Sequence, residues 1–158
     1  MYLNKRKVIL AISVTVLVFL FSNIDVKSQD IKITDGDTIR INGEKIRFSG
    51  IDAPELKQTC LKNNVIIFCG LEAKNLLIKI IDNNDVICVY EGKDQYRRKL
   101  AECFLGDLSL SSYLVRNGYA FAYRKYSKKY IQDEEFAKEN KNGLWSTEFE
   151  YPWLWRKK

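Results

Sequence analysis

The sequence predicts an α+β fold, a small β-barrel of OB type accompanied by helices. Strand patterns cluster early in the chain, one helical pattern lies between the third and fourth of them, and two helical patterns follow the last strand. This order favours a small barrel over a parallel sheet, in which strands and helices would alternate throughout. The chain has 158 residues, and 46% of them are hydrophobic. It therefore has the apolar side chains for one core and one domain.

The first strands form a hairpin. Residues 31–33 alternate in polarity, residues 38–41 lead into Asn42-Gly43, and residues 44–48 return. Asn-Gly between two alternating runs is the strongest short hairpin signal. One parity of this hairpin is apolar, and it comprises Ile39, Ile41, Ile46 and Phe48. Arg47 has the opposite parity and is predicted to point away from the apolar face.

Helical spacing predicts three helices. The first covers residues 70–81, the second begins at Asp107 as N-cap and ends at Asn117-Gly118, and the third covers residues 132–142 with Gly143 as its C′ residue. Residues 86–90 and 100–105 are predicted strands that flank a charged connection.

The N-terminal segment, residues 1–28, has the pattern of a signal peptide. Lys5-Arg6-Lys7 precede an apolar run over residues 8–21, which matches a secretory signal better than a membrane span of about 20 residues. Cleavage near Ser22 or Ser28 is one outcome, and a retained membrane anchor is the alternative. Either outcome places the domain, residues 29–158, outside the cytoplasm, in the periplasm or the medium.

The four cysteines indicate disulfides. Cys60, Cys69, Cys88 and Cys103 lack the spacing of a zinc site. Of the three possible connectivities, we expect Cys60–Cys69, which closes a short polar loop, and Cys88–Cys103, which lie almost symmetrically about a turn. Such bonds agree with an oxidising compartment.

Composition restricts the possible chemistry. The chain contains no histidine, which excludes Ser-His-Asp and Cys-His hydrolysis and histidine-ligated zinc. The formal net charge is +6, and residues 29–158 carry 22 Lys and Arg against 19 Asp and Glu, a net +3. This modest excess is compatible with polyanions without requiring them.

The stretch from Asp35 to Glu55 holds the candidate site. Asp37 and Asp52 lie on two loops that flank the hairpin, and a hard cation such as calcium prefers carboxylate and carbonyl oxygens. The alternative interpretation is that both loops are ordinary turns.

Catalytic roles are assigned to Glu55, Arg47 and Arg98. Without histidine, a carboxylate must activate water, and Glu55 is the candidate general base. Arg47 and Arg98 are the candidate phosphate clamp, because a planar, always charged guanidinium suits the charge that develops on phosphorus. Taken singly, each residue also fits a solvated surface position.

These residues together resemble the thermonuclease family, also called staphylococcal-nuclease-like. The resemblance comprises Asp35-Gly36-Asp37-Thr38, Arg47 five residues before Asp52, Asp52-Ala53-Pro54-Glu55, Asp94-x-Tyr96-x-Arg98, Leu114 to Gly118 and Gly143-Leu144-Trp145. It covers nearly all of residues 31–146, and the order and spacing of the motifs are specific. The ending Pro152-Trp153-Leu154-Trp155-Arg156 resembles exported bacterial members.

The resemblance implies a five-stranded OB-fold β-barrel with three α-helices and a calcium-dependent endonuclease acting on DNA and RNA. It implies one calcium ion, held by the side chains of Asp37 and Asp52 and the carbonyl of Ala53. Glu55 would polarise the attacking water, Arg47 and Arg98 would stabilise the transition state, and the products would carry 3′-phosphates. Tyr96 and Tyr126 match positions that contact the nucleotide.

Three positions depart from the family pattern. Ala53 stands where threonine is known, which a carbonyl ligand tolerates. Arg97 replaces the usual glycine, and Arg124 stands where a second nucleotide-contacting tyrosine is known.

Three functions are compatible with these residues. The favoured one is an exported, monomeric nuclease that prefers single strands, has low sequence specificity and needs no protein partner. The alternatives are a non-catalytic single-stranded nucleic-acid-binding OB module and a membrane-anchored interaction domain. The full set of acidic residues and arginines argues against the binding module.

Overall fold

A computed structural model describes residues 28–158. The predicted signal peptide or membrane anchor therefore lies outside the described residues. Among residues 28–158, no helix has both the length and the apolar character that crossing a bilayer requires.

The described part of the chain contains ten strands and four α-helices, and this composition confirms the predicted α+β class. The strands are β1 (Ile31–Asp35), β2 (Thr38–Ile41), β3 (Glu44–Phe48), β4 (Ile51–Asp52), β5 (Cys60–Lys62), β6 (Val65–Ile67), β7 (Ile87–Lys93), β8 (Lys99–Leu105), β9 (Leu108–Ser109) and β10 (Phe121–Ala122). The helices are α1 (Cys69–Ile81), α2 (Leu110–Arg116), α3 (Ile131–Glu139) and α4 (Pro152–Trp155), with a 3₁₀ helix at Gly143–Ser146.

The five long strands form one sheet in the order β1-β2-β3-β8-β7, with β9 paired to β8. Only the pairing of β3 with β8 is parallel among the described strands. Two antiparallel pairs, β4 with β10 and β5 with β6, complete the β structure of residues 28–158. This arrangement agrees with the predicted OB-type fold of five principal strands.

The β2–β3 hairpin has the predicted register. Ile39 pairs with Ile46, and both side chains are buried in the main core with Phe48. Thr38 pairs with Arg47, so Arg47 lies on the opposite face, next to the β1–β2 turn. The parity prediction is confirmed, and this register brings Arg47 beside Asp37.

The first predicted helix is confirmed as α1, whereas the boundaries of the other two differ. Asp107 is not the N-cap of α2, because β8 turns into β9 and the side chain of Ser109 accepts the Ser112 N–H at 3.0 Å instead. The third helix ends at Glu139, so Gly143 is not its C′ residue and begins the 3₁₀ helix.

Both predicted disulfides are present, Cys60–Cys69 and Cys88–Cys103. The first joins β5 to the first residue of α1, and the second links residues that face each other across β7 and β8. In residues 28–158 no cysteine is free.

A second, aromatic core fixes the C-terminal segment. It centres on buried Phe121, whose ring centroid lies 5.0–6.2 Å from those of Trp145, Phe149, Tyr151 and Trp153. Leu61 and Glu148 also exchange two backbone hydrogen bonds of 2.9 Å each. The segment after the 3₁₀ helix is therefore packed against the domain, and Trp153 packs on the fold as an aromatic core residue.

Candidate active site

One cleft of about 700 Å³ collects the predicted site residues. Its lining includes Asp37, Arg47, Ala53, Glu55, Tyr96, Arg98 and Tyr126. Asp52 does not line the cleft because it is fully buried, but it contacts two residues that do. The residues that the sequence analysis predicted separately as metal ligands, catalytic groups and nucleotide contacts thus lie together.

Two glycines allow the acidic loops to pack against α1. A Cβ atom on Gly36 would lie 2.8 Å from the Cβ atom of Ala73 and 2.9 Å from that of Ala53. A Cβ atom on Gly70 would lie 1.8 Å from the carbonyl oxygen of Glu55. Any larger residue at either position would displace a loop that carries a candidate ligand or base.

Arg47 joins the two buried carboxylates. Its Nη1 donates to Oδ1 of Asp37 at 2.6 Å and its Nη2 to Oδ1 of Asp52 at 2.7 Å. A guanidinium has five N–H donors, so these two bonds leave three of them unused, and Arg47 lines the cleft. One arginine thus fixes the spacing of the two aspartates and keeps donors for a substrate.

Asp37 is surrounded by donors yet strongly desolvated. The hydroxyl of Thr38 donates to its Oδ1 at 3.0 Å, and the backbone N–H of Ala53 donates to its Oδ2 at 2.9 Å. Burial nevertheless raises the pKa of Asp37 to about 7, an effect that Arg47 opposes and the neighbouring Asp35 and Asp52 carboxylates increase. Burial therefore disfavours the charged form of the Asp37 carboxylate, and a cation bound beside it would favour that form.

Glu55 is the most accessible carboxylate of the set. Its side chain is 45% exposed, whereas that of Asp52 is wholly buried. Its backbone N–H donates to Oε1 of buried Gln58 at 3.2 Å. Glu55 is therefore held on a fixed loop with its carboxylate open to water, as a general base requires.

Arg156 is a site residue that sequence reasoning missed. Its Nη2 donates to Oδ2 of Asp52 at 2.6 Å, and its Nη1 donates to Oε1 of Glu55 at 2.7 Å and to Oδ1 of Asp52 at 3.2 Å. The sequence signal was the aromatic run before Arg156, which identifies a packed segment without showing where it packs.

Arg98 lines the same cleft but is not in contact with the buried aspartates. Its Nε donates to Oδ2 of Asp94 at 2.6 Å, and Oδ1 of Asp94 accepts the backbone N–H groups of Tyr96 and Arg98, both at 2.9 Å. Asp94 thus organises the loop that presents Arg98.

Arg97, in this loop, has φ of 62°, a left-handed conformation that favours glycine and costs a non-glycine residue roughly 1–2 kcal/mol. The conformation explains why glycine is usual here.

The two predicted nucleotide contacts are exposed tyrosines. Tyr96 is 71% exposed and Tyr126 is 64% exposed, and both line the cleft. Arg124 donates through Nη2 to Oε2 of Glu134 at 2.7 Å. Its guanidinium therefore takes part in an ion pair with Glu134.

The donor set at the aspartates fits a hard cation. Asp37, Asp52 and the carbonyl of Ala53 supply oxygen atoms, the ligands that calcium prefers. Across residues 28–158, no three acidic or cysteine side chains cluster closely enough to hold a metal ion by themselves. The protein side chains would thus provide a minority of a calcium ion's six to eight ligands, and water and phosphate oxygens would provide the rest.

The raised pKa of Asp37 predicts a stability change on Asp37→Asn. In the folded protein Asp37 keeps a proton that an unfolded Asp, with a pKa of 3.8, has lost, so rising pH destabilises the fold until pH passes about 7. In chelator, the free energy of unfolding of Asp37→Asn relative to wild type should increase by roughly 4 kcal/mol between about pH 4 and pH 8. Urea denaturation at both pH values measures this difference.

Asp94→Asn is the matched control. Burial opposes ionisation of Asp94, but hydrogen bonds from Arg98 and Tyr96 hold its pKa below the usual value. Its stability relative to wild type should stay constant between about pH 5 and pH 8, where Asp94 is ionised in both states. A pH-independent difference for Asp37→Asn would contradict the desolvation of Asp37.

Comparison with known proteins identifies the family to which the sequence is similar. The sequence matches the family described as "Staphylococcal nuclease homologue" over residues 45–147. It is 30% identical over 154 residues to an "Uncharacterized endonuclease" of Haemophilus influenzae, covering 89% of this chain and 79% of that protein. It is 34% identical over 132 residues to the "Thermonuclease" of Staphylococcus intermedius, covering 72% of this chain and 77% of that protein.

A plant relative is longer. The chain is 32% identical over 142 residues to "Probable staphylococcal-like nuclease CAN3" of Oryza sativa subsp. japonica, which covers 87% of this chain and spans 35% of that protein. The family match includes Arg47, Glu55 and Arg98, which line the cleft, and Asp52, which is bonded to Arg47. The chain therefore belongs to the family of staphylococcal nuclease homologues.

Proposed function

We propose that the protein is a calcium-dependent endonuclease that hydrolyses phosphodiester bonds of DNA and RNA with low sequence specificity and leaves 3′-phosphate ends. One observation carries this proposal: the exposed carboxylate of Glu55 lines one cleft with Arg47, Arg98 and buried Asp37, and Arg47 also bonds to the buried Asp52 behind it. A binding module needs no such set, because phosphate neutralisation and base stacking suffice for it. The relatives named endonuclease and thermonuclease support the same reaction class.

Glu55 is the general base of the proposed reaction. Its carboxylate takes a proton from water, and the water oxygen attacks phosphorus in line with the 5′-oxygen. A new P–O bond forms as the bond to the 5′-oxygen breaks, and the leaving oxygen takes up a proton. The phosphate stays on the 3′-oxygen. The 45% exposure of Glu55 supports this role, because the attacking water must reach the carboxylate.

Arg47 and Arg98 neutralise the charge that develops on the phosphate oxygens. Arg47 is fixed by its bonds to Asp37 and Asp52, and Arg98 is fixed by Asp94, so both enter the reaction already oriented. Oriented donors stabilise a transition state without reorganisation at the moment of reaction.

Asp37, Asp52 and the Ala53 carbonyl would hold one calcium ion. When bound, the ion supplies positive charge beside the phosphate and offsets the two buried carboxylates. Oxygen ligands and the raised pKa of Asp37 support this assignment.

Tyr96 and Tyr126 favour single-stranded substrates. Both rings are exposed at the cleft, and unpaired bases stack on such rings without sequence preference. Binding is expected to weaken with salt, since phosphate contacts release counterions. We propose that the protein acts as a monomer and needs no protein partner for this reaction.

Loss of activity in Glu55→Gln and Arg98→Ala tests the proposed function. Each variant should hydrolyse single-stranded DNA at least on the order of a hundredfold more slowly than wild type in calcium, because each removes a group that acts in the transition state. Wild type should be inactive in chelator. Gel assays measure the rates, and mass spectrometry of the fragments identifies their 3′-phosphate ends.

Glu72→Gln and Arg40→Ala are the matched controls. Both residues are exposed, and neither lines the cleft. They should retain wild-type rates. Undiminished hydrolysis by Glu55→Gln would contradict the role of Glu55 as general base. Single-strand binding without hydrolysis in any divalent metal would instead support the non-catalytic binding module.

We also propose that the protein is exported. The basic and apolar pattern of residues 1–28 and the two disulfides support this localisation, because disulfides persist in oxidising compartments.

Fractionation of expressing cells tests export. The disulfide-bonded protein should occur in the periplasm or the medium, without residues 1–28 if a signal is cleaved and in the membrane fraction if residues 8–21 remain as an anchor. A reduced protein confined to the cytoplasm would contradict the proposal.

A further inference from the structure

Arg156 lies near the C-terminus of the chain, but its side chain reaches the acidic residues of the cleft. It is the residue that follows α4, and it lies 104 positions from Asp52 in the sequence. Its guanidinium bonds to both Oδ atoms of Asp52 and to Oε1 of Glu55. One side chain therefore contacts both a candidate calcium ligand and the candidate general base.

The fold places Arg156 there through several independent contacts. Trp153 stacks on Tyr151, with ring centroids 4.4 Å apart, and on Tyr123, with centroids 5.8 Å apart. Nε2 of buried Gln58 donates to the carbonyl of Glu150 at 2.7 Å. Since Gln58 also binds the backbone of Glu55, one residue fixes both the loop of the base and the segment that delivers Arg156.

Both carboxylate oxygens of Asp52 accept hydrogen bonds from arginines. Oδ1 accepts from Arg47 and Arg156, and Oδ2 accepts from Arg156 at 2.6 Å. Asp52 is buried, whereas the side chain of Arg156 is 37% exposed, so Arg156 can leave towards solvent and Asp52 cannot. A cation that binds Asp52 must displace Arg156 or bear its repulsion at close range.

We propose that Arg156 is an internal counter-cation that competes with the calcium ion for Asp52. This inference rests on the proposed function, because it takes Asp52 as a calcium ligand. In the absence of calcium, Arg156 neutralises the buried carboxylate and holds Glu55. Calcium binding releases Arg156 into the cleft, where its positive charge lies beside those of Arg47 and Arg98.

Calcium affinity of Arg156→Gln tests the competition directly. Removing the competing charge should lower the calcium dissociation constant about fivefold or more, as for two ligands with unfavourable coupling. Arg156→Lys keeps the charge and should stay close to wild type. Isothermal titration calorimetry without nucleic acid measures the binding, so hydrolysis does not enter the result.

Lys157→Gln is the matched control, because it removes the same charge from the next residue and no ion pair of Lys157 is present in the described chain. Its calcium affinity should equal that of wild type.

A second readout is thermal stability. Arg156→Gln should melt below wild type in chelator, since Asp52 loses a partner, and saturating calcium should raise its melting temperature more than that of wild type.

The outcomes separate the two proposals. Equal calcium affinity in wild type and Arg156→Gln, or weaker affinity in the variant, would overturn the competition and leave the proposed function intact. No calcium binding by either protein would overturn both the calcium site and the competition.

Discussion

The structure depends on the burial of two like charges, Asp37 and Asp52, within the reach of one arginine. Two carboxylates lie in the protein interior, and Arg47 bonds to both. Desolvation and mutual repulsion make this arrangement unfavourable by itself, as the raised pKa of Asp37 shows. Strongly shifted pKa values of this kind cluster at functional sites.

The rest of the fold holds these charges in place. The β2–β3 register places Arg47 beside the β1–β2 turn, and Gly36 and Gly70 let the acidic loops contact α1. The disulfide at Cys69 fixes the start of that helix. At the other end of the chain, packing on Phe121 directs Arg156 to Asp52 and Glu55. The hydrophobic cores and the covalent bonds thus sustain an arrangement that electrostatics alone would oppose.

Local patterns in the sequence predicted most of the fold and named most of the residues that the candidate site brings together. The hairpin parity placed Arg47 correctly because one register satisfies the apolar face. The disulfide pairs and α1 followed from short-range spacing. The start of α2 was misplaced because Asp107 and Ser109 are both good N-caps, and only the extension of β8 into β9 selects Ser109.

Arg156 could not be predicted, because its role depends on a contact across 104 residues. The aromatic residues before it indicate packing, but no periodic pattern specifies the surface on which they pack. The left-handed backbone at Arg97 has no signal in the arginine itself, although the family resemblance marks this position as one where glycine is usual. Long-range packing and backbone strain are therefore the two features that required the structure.

A crystal structure of the protein with calcium and a short single-stranded oligonucleotide would test the central claim most directly. We expect one calcium ion between Asp37, Asp52 and the Ala53 carbonyl, a phosphate beside Arg47 and Arg98, and Arg156 displaced from Asp52. A calcium ion bound elsewhere, with Arg156 still seated on Asp52, would contradict the claim.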